Sequence, residues 1–200
     1  MTDKQIVLVG NGPSVLNQQN GKLIDSYDTI MRFNFYHIKK YEQYVGTRTD
    51  MWWTTVYDKQ RLEESKCCEI IEHSWEWNPI KDKTFNKISD FLGYKPRKTE
   101  KSIIKEMQEI DINKTYHCYS SGVIALYMLS KEYDEISITG FDWWENNLQP
   151  KDNHHYADNY KVGNNHKPHR ELAFIKQLAK QCNIFNINTN TYIKHDSQTK

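Results

Sequence analysis

The chain has 200 residues, with 27 Lys and Arg against 26 Asp and Glu, for a formal net charge of +1. That length suits one domain; the near-neutral balance excludes bulk electrostatic attraction to nucleic acid or membrane, and no apolar run approaches the ~20 residues of a membrane span. Aromatic residues make up 13% of the chain, with six Trp and thirteen Tyr, enough for an aromatic core or for a stacking cleft.

In chain order, residues 5–9 (QIVLV) predict a buried strand, and Gly10-Asn11-Gly12-Pro13-Ser14 predicts a turn and a helix start. Residues 28–33 and 50–55 read as further strands, and 67–72 as one more. Residues 79–112 are Lys-rich and helical by pattern, with Phe91, Leu92, Ile103, Ile104 and Met107 on the apolar face and a break at Gly93-Tyr94-Lys95-Pro96. They read as a helical insertion or lid. The basic run Lys95–Lys105 reads as a solvated face, with a peripheral membrane or acidic-acceptor contact as the alternative. Thr115–Tyr119 reads as a strand, and Ser120 as the cap of a helix running to Lys131. Glu135–Thr139 is another strand, ending at Gly140-Phe141-Asp142. Residues 143–167 are polar and dense in Asn and His; Pro168 opens an amphipathic helix, and Asn183–Asn188 is the last strand. Short strands alternating with helices predict an α/β domain with a mostly parallel sheet.

Cys67, Cys68, Cys118 and Cys182 contain no C-x-x-C and no zinc-like spacing. With no export signal or anchor read at the N-terminus, free thiols in a reducing cytoplasm are the expectation.

Polar segments follow four of the predicted strands or strand ends: Gly10–Ser14, Arg32–Asn34, Ser120–Gly122 and Gly140–Asp142. In an open α/β sheet the ligand crevice lies outside the carboxyl ends of the strands, so these loops should converge. The glycine turn before a helix would offer backbone N–H groups to an anion. However, Val15 breaks the G-x-G-x-x-G pattern and no G-K-[ST] follows, which leaves a plain βα turn as the alternative. Ser120-Ser121-Gly122 is a second helix start, suited to a carboxylate or phosphate or to simple capping. Four of the eight histidines, His154, His155, His166 and His169, fall in one short stretch. Imidazoles suit proton transfer and phosphate contact near neutral pH; a zinc site is the alternative, but it lacks H-E-x-x-H and a nearby cysteine.

Together these residues resemble the sialyltransferases of glycosyltransferase family 29. Ile6 to Asp50, containing IVLVGNGPS, GKLIDSYDTIMRFNF and VGTRTD, is similar to the family's large sialylmotif, and Tyr119 to Gly140 to its small one. His154-His155-Tyr156-Ala157-Asp158-Asn159 is similar to the third motif, and His166 with Glu171 to the very small motif, H-x4-E. GNGPS and SSGV also resemble bacterial sialyltransferases of family 42. Roughly residues 56–114 carry no match.

The resemblance implies a single Rossmann-like domain over residues 1–200, of the GT-A variant type, with 79–112 as an insertion or lid within it. It implies an inverting transfer, independent of metal and of any cofactor, from a CMP-sugar donor such as CMP-sialic acid to a sugar hydroxyl of a glycan acceptor. Asn11 and Asn34 would hold the CMP moiety, with Gly12 and Ser14 in the same nucleotide-binding group. Ser120, Ser121 and Gly122 would contact the nucleotide and the donor carboxylate, with Phe141 and Asp142 beside them. His155 would lie near the phosphate and His166 would be the general base, although family 42 places its base in a dipeptide like His155-Tyr156, so that order stays open. Trp143, Trp144 and Tyr156 would shape an acceptor or donor subsite. The paired cysteines of secreted family 29 enzymes would fall at Ile6 and Tyr133, as expected for a cytoplasmic relative; the phosphate-holding tyrosine of family 42 would fall at Trp144. Competing readings are a transferase using another CMP-activated acid sugar such as Kdo, a non-catalytic nucleotide or glycan binder, and a metal-dependent hydrolase.

Overall fold

The run Ile6–Val9 (β1) is buried along its whole length, as a central strand flanked on both faces requires. In the computed structural model, the described residues are 4–55, 58–64, 69–72, 80–93, 95, 97–99, 101–111, 119–142, 155–157 and 167–194. After β1 come a 3-10 turn (Pro13–Asn17), α1 (Gly21–Asp25), β2 (Thr29–Phe33), α2 (Glu42–Val45) and β3 (Met51–Thr54). Then follow α3 (Lys59–Glu64), β4 (Glu69–Glu72), α4 (Ile80–Leu92), β5 (Arg97–Lys98) and α5 (Lys101–Ile110). The chain continues through α6 (Ser121–Leu129), β6 (Glu135–Thr139), α7 (Pro168–Leu178), β7 (Asn183–Asn186) and β8 (Thr191–Tyr192).

Among the described residues the strands form one sheet in the order β5-β4-β3-β2-β1-β6-β7-β8. Every pairing is parallel except β7 with β8. The chain winds outward from β1 to β5, then returns to the other side of β1 for β6, so the topological switch point lies between β1 and β6. Val9 is level with Arg32 on one side and with Thr139 on the other, which brings the loops after all three strands to one edge.

Side chains alternate faces along each strand. Ile6, Leu8, Met31, Phe33 and Trp53 face a core shared with α5, α6 and α7. Val7, Val9 and Ile30 face the opposite layer, with Val15, Ile24, Val45 and Ile187. α6 is buried from Gly122 to Leu129, the all-round apolar signature of a central helix. Trp52 and Trp53 are fully buried, so these two belong to the core.

The stretch read as a helical insertion supplies α4, β5 and α5. Ile88 and Met107 are both fully buried, and Lys131 and Tyr127 of the α6 region bind the Glu106 carboxylate of α5, so this stretch is packed onto the sheet. The expected strand at 115–119 falls almost wholly outside the described residues. The helix expected directly after the glycine turn is a five-residue 3-10 turn without a side-chain cap. Cys182 is a buried free thiol, and burial pushes its pKa up to about 11. No helix among the described residues is long and apolar enough to cross a membrane.

Candidate active site at the switch point

The β1–β6 seam is closed by the chain's own polar groups. Gly10 N–H donates to the Thr139 carbonyl (2.8 Å), and Gly12 N–H to the Gly140 carbonyl (2.9 Å). A Cβ on Gly10 would lie 2.3 Å from the Gly140 oxygen, so close backbone approach, and not phosphate access, is what demands glycine there. Ser14 N–H donates to Asp142 Oδ2 (2.7 Å), and Ser14 Oγ donates to Asp142 Oδ1. Asn188 Nδ2 also donates to Ser14 Oγ (3.0 Å), and Thr139 Oγ1 donates to Asn188 Oδ1 (2.9 Å). Burial pushes the Asp142 carboxyl up, against the downward pull of the two Ser14 donors. Three N–H groups of this turn, those of Gly10, Gly12 and Ser14, are therefore bonded to the β6 loop, as in the plain βα turn that was the alternative reading. Gly12, Ser14 and Asp142 act as struts between two loops.

The start of α6 is also occupied from within. Glu171, fully buried in the first turn of α7, accepts from Ser120 N–H and from Ser120 Oγ, both at 2.9 Å. Ser120 Oγ in turn accepts from Val123 N–H (3.4 Å), the expected cap. The carboxylate on Ser120 is thus the protein's own. Ser121 is only partly buried and its hydroxyl makes no hydrogen bond among the described residues, unlike that of Ser120. A Cβ on Gly122 would meet the Phe141 ring at 2.4 Å. Phe141 packs edge-on against Phe33 (centroids 5.8 Å apart), in the core shared with α6.

The β1–β2 side differs. Asn34 has φ of +44°, a conformation that asparagine tolerates better than most residues. Its Oδ1 accepts from Thr55 N–H (3.0 Å) and Thr55 Oγ1 (3.2 Å), and its carbonyl accepts from Trp52 Nε1 (3.0 Å). These partners fix the amide's orientation, and no hydrogen bond engages Nδ2 among the described residues. Asn11 Nδ2 donates to the Phe33 carbonyl (3.0 Å), while Asn11 Oδ1 is buried with no partner among the described residues. Unpaired buried acceptors are uncommon enough to need a reason.

The third-motif segment docks on this same side. Tyr156 N–H donates to the Asn11 carbonyl (2.8 Å), and the neighbouring His155 is buried. The structure thus brings Asn11, Asn34 and His155 to one edge. His154, His166, Trp143 and Trp144 lie outside the described residues. Among the described residues no three His, Cys, Asp or Glu side chains gather where they could hold a metal ion.

Two supporting residues had no assigned role. Glu171 was legible as a motif position, but its partner lies 51 residues away. Arg32 is fully buried in β2; Nε and Nη2 donate to the carbonyls of Arg48 and Val45 and to Thr49 Oγ1. Burial lowers its pKa, and nearby tyrosines and aspartates raise it. An arginine inside an apolar strand was the available signal.

The strand order, with its reversal at β1, defines a doubly wound α/β protein. Residues 3–183 match the model of glycosyltransferase family 29 (sialyltransferase), and the chain belongs to that family. It is 23% identical over 217 aligned residues to a CMP-N-acetylneuraminate-beta-1,4-galactoside alpha-2,3-sialyltransferase of Mus musculus, covering 88% of this chain and 55% of the relative. A type 2 lactosamine alpha-2,3-sialyltransferase of Mus musculus is 48% identical over 46 residues, 23% of this chain and 14% of its own. The chain therefore spans only about half the length of the first of these relatives. Among solved structures, a mammalian sialyltransferase matches with a TM-score of 0.64 and 20% identity, covering 91% of this chain and 68% of its own. A mammalian sialyltransferase in complex with Gal-beta-1-3GalNAc-ortho-nitrophenol matches at 0.62 and 19%, covering 91% and 69%. The fold is that of these sialyltransferases.

Proposed function

We propose that this protein transfers sialic acid from CMP-sialic acid to a sugar hydroxyl of a galactoside-type glycan, with inversion and without a metal ion. The observation that carries the reading is Asn11 Oδ1, buried without a partner among the described residues beside the docked His155 segment, in a chain that the family model matches over residues 3–183. Asn11 Oδ1 offers an acceptor and Asn34 Nδ2 a donor for the nucleotide. Ser121 at the start of α6 offers a hydroxyl to the donor carboxylate, with the helix dipole behind it.

A sugar hydroxyl is a weak nucleophile, and a positioned imidazole that removes its proton is worth roughly 10²–10⁴-fold. His166 is assigned this role. His155 is assigned to the departing phosphate, where donors aimed at the developing charge stabilise the transition state. The buried free thiol of Cys182 accords with a reducing compartment, and the cytoplasm is the proposed location.

The test is a donor panel of CMP, CMP-sialic acid, CMP-Kdo and a UDP-sugar, read first as protection against thermal unfolding. Turnover is then measured as CMP release with Gal-beta-1-3GalNAc-ortho-nitrophenol as acceptor, with and without EDTA. Protection by cytidine nucleotides and EDTA-insensitive release with CMP-sialic acid are expected. CMP-Kdo as the sole productive donor would replace the sugar in the proposal, and binding without turnover on any acceptor would overturn the enzyme reading.

A further inference from the structure

We infer that Tyr156 is a latch that fixes the His155 segment over the β1–β2 edge, and so is a positioning residue and not part of a sugar subsite. The inference rests on the proposed role of His155. Its basis is the set of contacts that Tyr156 makes. Its N–H donates to the Asn11 carbonyl at 2.8 Å. Its phenol donates to the His37 carbonyl and accepts from His37 N–H at 3.1 Å. Its ring stands edge-on to Tyr41, with centroids 5.0 Å apart and planes at 75°. The same ring packs against the layer of Val7, Val9, Ile24 and Ile30.

A phenol has one proton to donate, and here a backbone carbonyl takes it. The hydroxyl that a sugar subsite would use is therefore spent on the loop after β2. Between Trp144 and Tyr160, Tyr156 is the one Phe, Tyr or Trp in a polar stretch. It ties residues 155–157 to the turn after β1 through Asn11 and to the loop after β2 through His37. Consecutive Cα atoms are about 3.8 Å apart, so anchoring Tyr156 confines His155. The latch also holds Asn11 from the backbone side while its Oδ1 remains uncommitted, so nucleotide contact and histidine placement share one support.

The experiment compares the wild-type chain with Tyr156→Phe and Tyr156→Ala, and reads amide hydrogen exchange, kcat and donor KM. Tyr156→Phe keeps the ring and removes both phenol hydrogen bonds. Exchange at His37 and Tyr156 should quicken about tenfold, with kcat falling by a similar factor and donor KM changing less than about twofold. Tyr156→Ala should expose the 155–157 amides and lower kcat about 100-fold, the scale of a misplaced group. A rise in donor or acceptor KM at constant kcat would make Tyr156 a ligand contact and overturn the latch, as would unchanged exchange and kcat in Tyr156→Phe. Should Tyr156→Ala fail to fold, Tyr156→Phe decides. Should the wild type neither bind CMP nor turn over, the proposed function fails by itself, and exchange at His37 and Tyr156 still decides whether the latch exists.

Discussion

On the β6 side of β1, the groups that looked available for a ligand are bonded within the chain: Gly10, Gly12 and Ser14 to the β6 loop, and Ser120 to Glu171. On the β2 side, Asn11 and Asn34 each spend half of their amide on the fold, and Asn11 Oδ1 and Asn34 Nδ2 have no hydrogen bond among the described residues. The two seams open on the same sheet edge and carry similar residues. They differ in whether their polar capacity is satisfied, because a buried group without a partner costs free energy that a bound ligand can return. The first seam holds the two halves of the sheet in register. The second, with the His155 segment docked beside it, keeps hydrogen-bonding groups without partners among the described residues, and it is where the proposed function puts the nucleotide.

The sharpest way to break the rigid seam is Gly10→Ala. The added methyl would meet a backbone oxygen at 2.3 Å, which no rotamer change relieves. We expect a loss of about 3 kcal/mol or more, seen as a collapse of soluble yield or of the urea midpoint. A wild-type-like midpoint would show that the seam is not tight.

Next is Glu171. Glu171→Ala leaves Ser120 N–H and Oγ without their carboxylate and should cost about 1–3 kcal/mol, measured by denaturant unfolding. Glu171→Gln keeps one acceptor and should cost less. In a double-mutant cycle with Ser120→Ala, the two effects should be clearly non-additive; simple additivity would remove the tie between α7 and α6.

The smallest effect concerns Asp25, at the end of α1, which ties the approach to β2 to the approach to β3. Burial raises its carboxyl, but hydrogen bonds from the Arg48 and Thr47 amides and the Thr47 hydroxyl outweigh this, and the net shift is downward. A depressed folded-state pKa stabilises above the ordinary value of about 3.9 and loses that contribution as pH falls through the folded value. Asp25→Asn should therefore lower Tm modestly at neutral pH, and the gap should close on acidification. A gap that persists or widens in acid would contradict the assignment.

The strands were largely readable, because β1, β2, β3 and β6 are buried on both faces; β1 is a continuous apolar run, β2 and β6 are short β-branched runs interrupted by Arg32 and Ser137, and the ends moved by a residue or so. Asn11 and Asn34 were readable as motif positions after strands. The fate of the glycine turn was not. Whether its N–H groups face a ligand or a neighbouring loop depends on β6, reached only after about 125 residues. Glu171 was hidden for the same reason, since a local cap can be read from spacing but a cap supplied by another helix cannot. The resemblance implies a subsite for Tyr156, and the local sequence carries no sign of what holds its ring. Its actual partners, His37 and Tyr41, belong to the loop after β2 and are brought near by topology alone.

The most direct measurement of the central claim is a CMP titration followed by thermal unfolding, run on the wild type, Asn11→Ala and Ser14→Ala. At 100 times Kd the wild type should gain about 2.7 kcal/mol. Asn11→Ala should fold and lose most of that gain, whereas Ser14→Ala should be less stable yet keep it. No gain in the wild type, or a full gain in Asn11→Ala alongside its loss in Ser14→Ala, would place the nucleotide elsewhere and contradict the account.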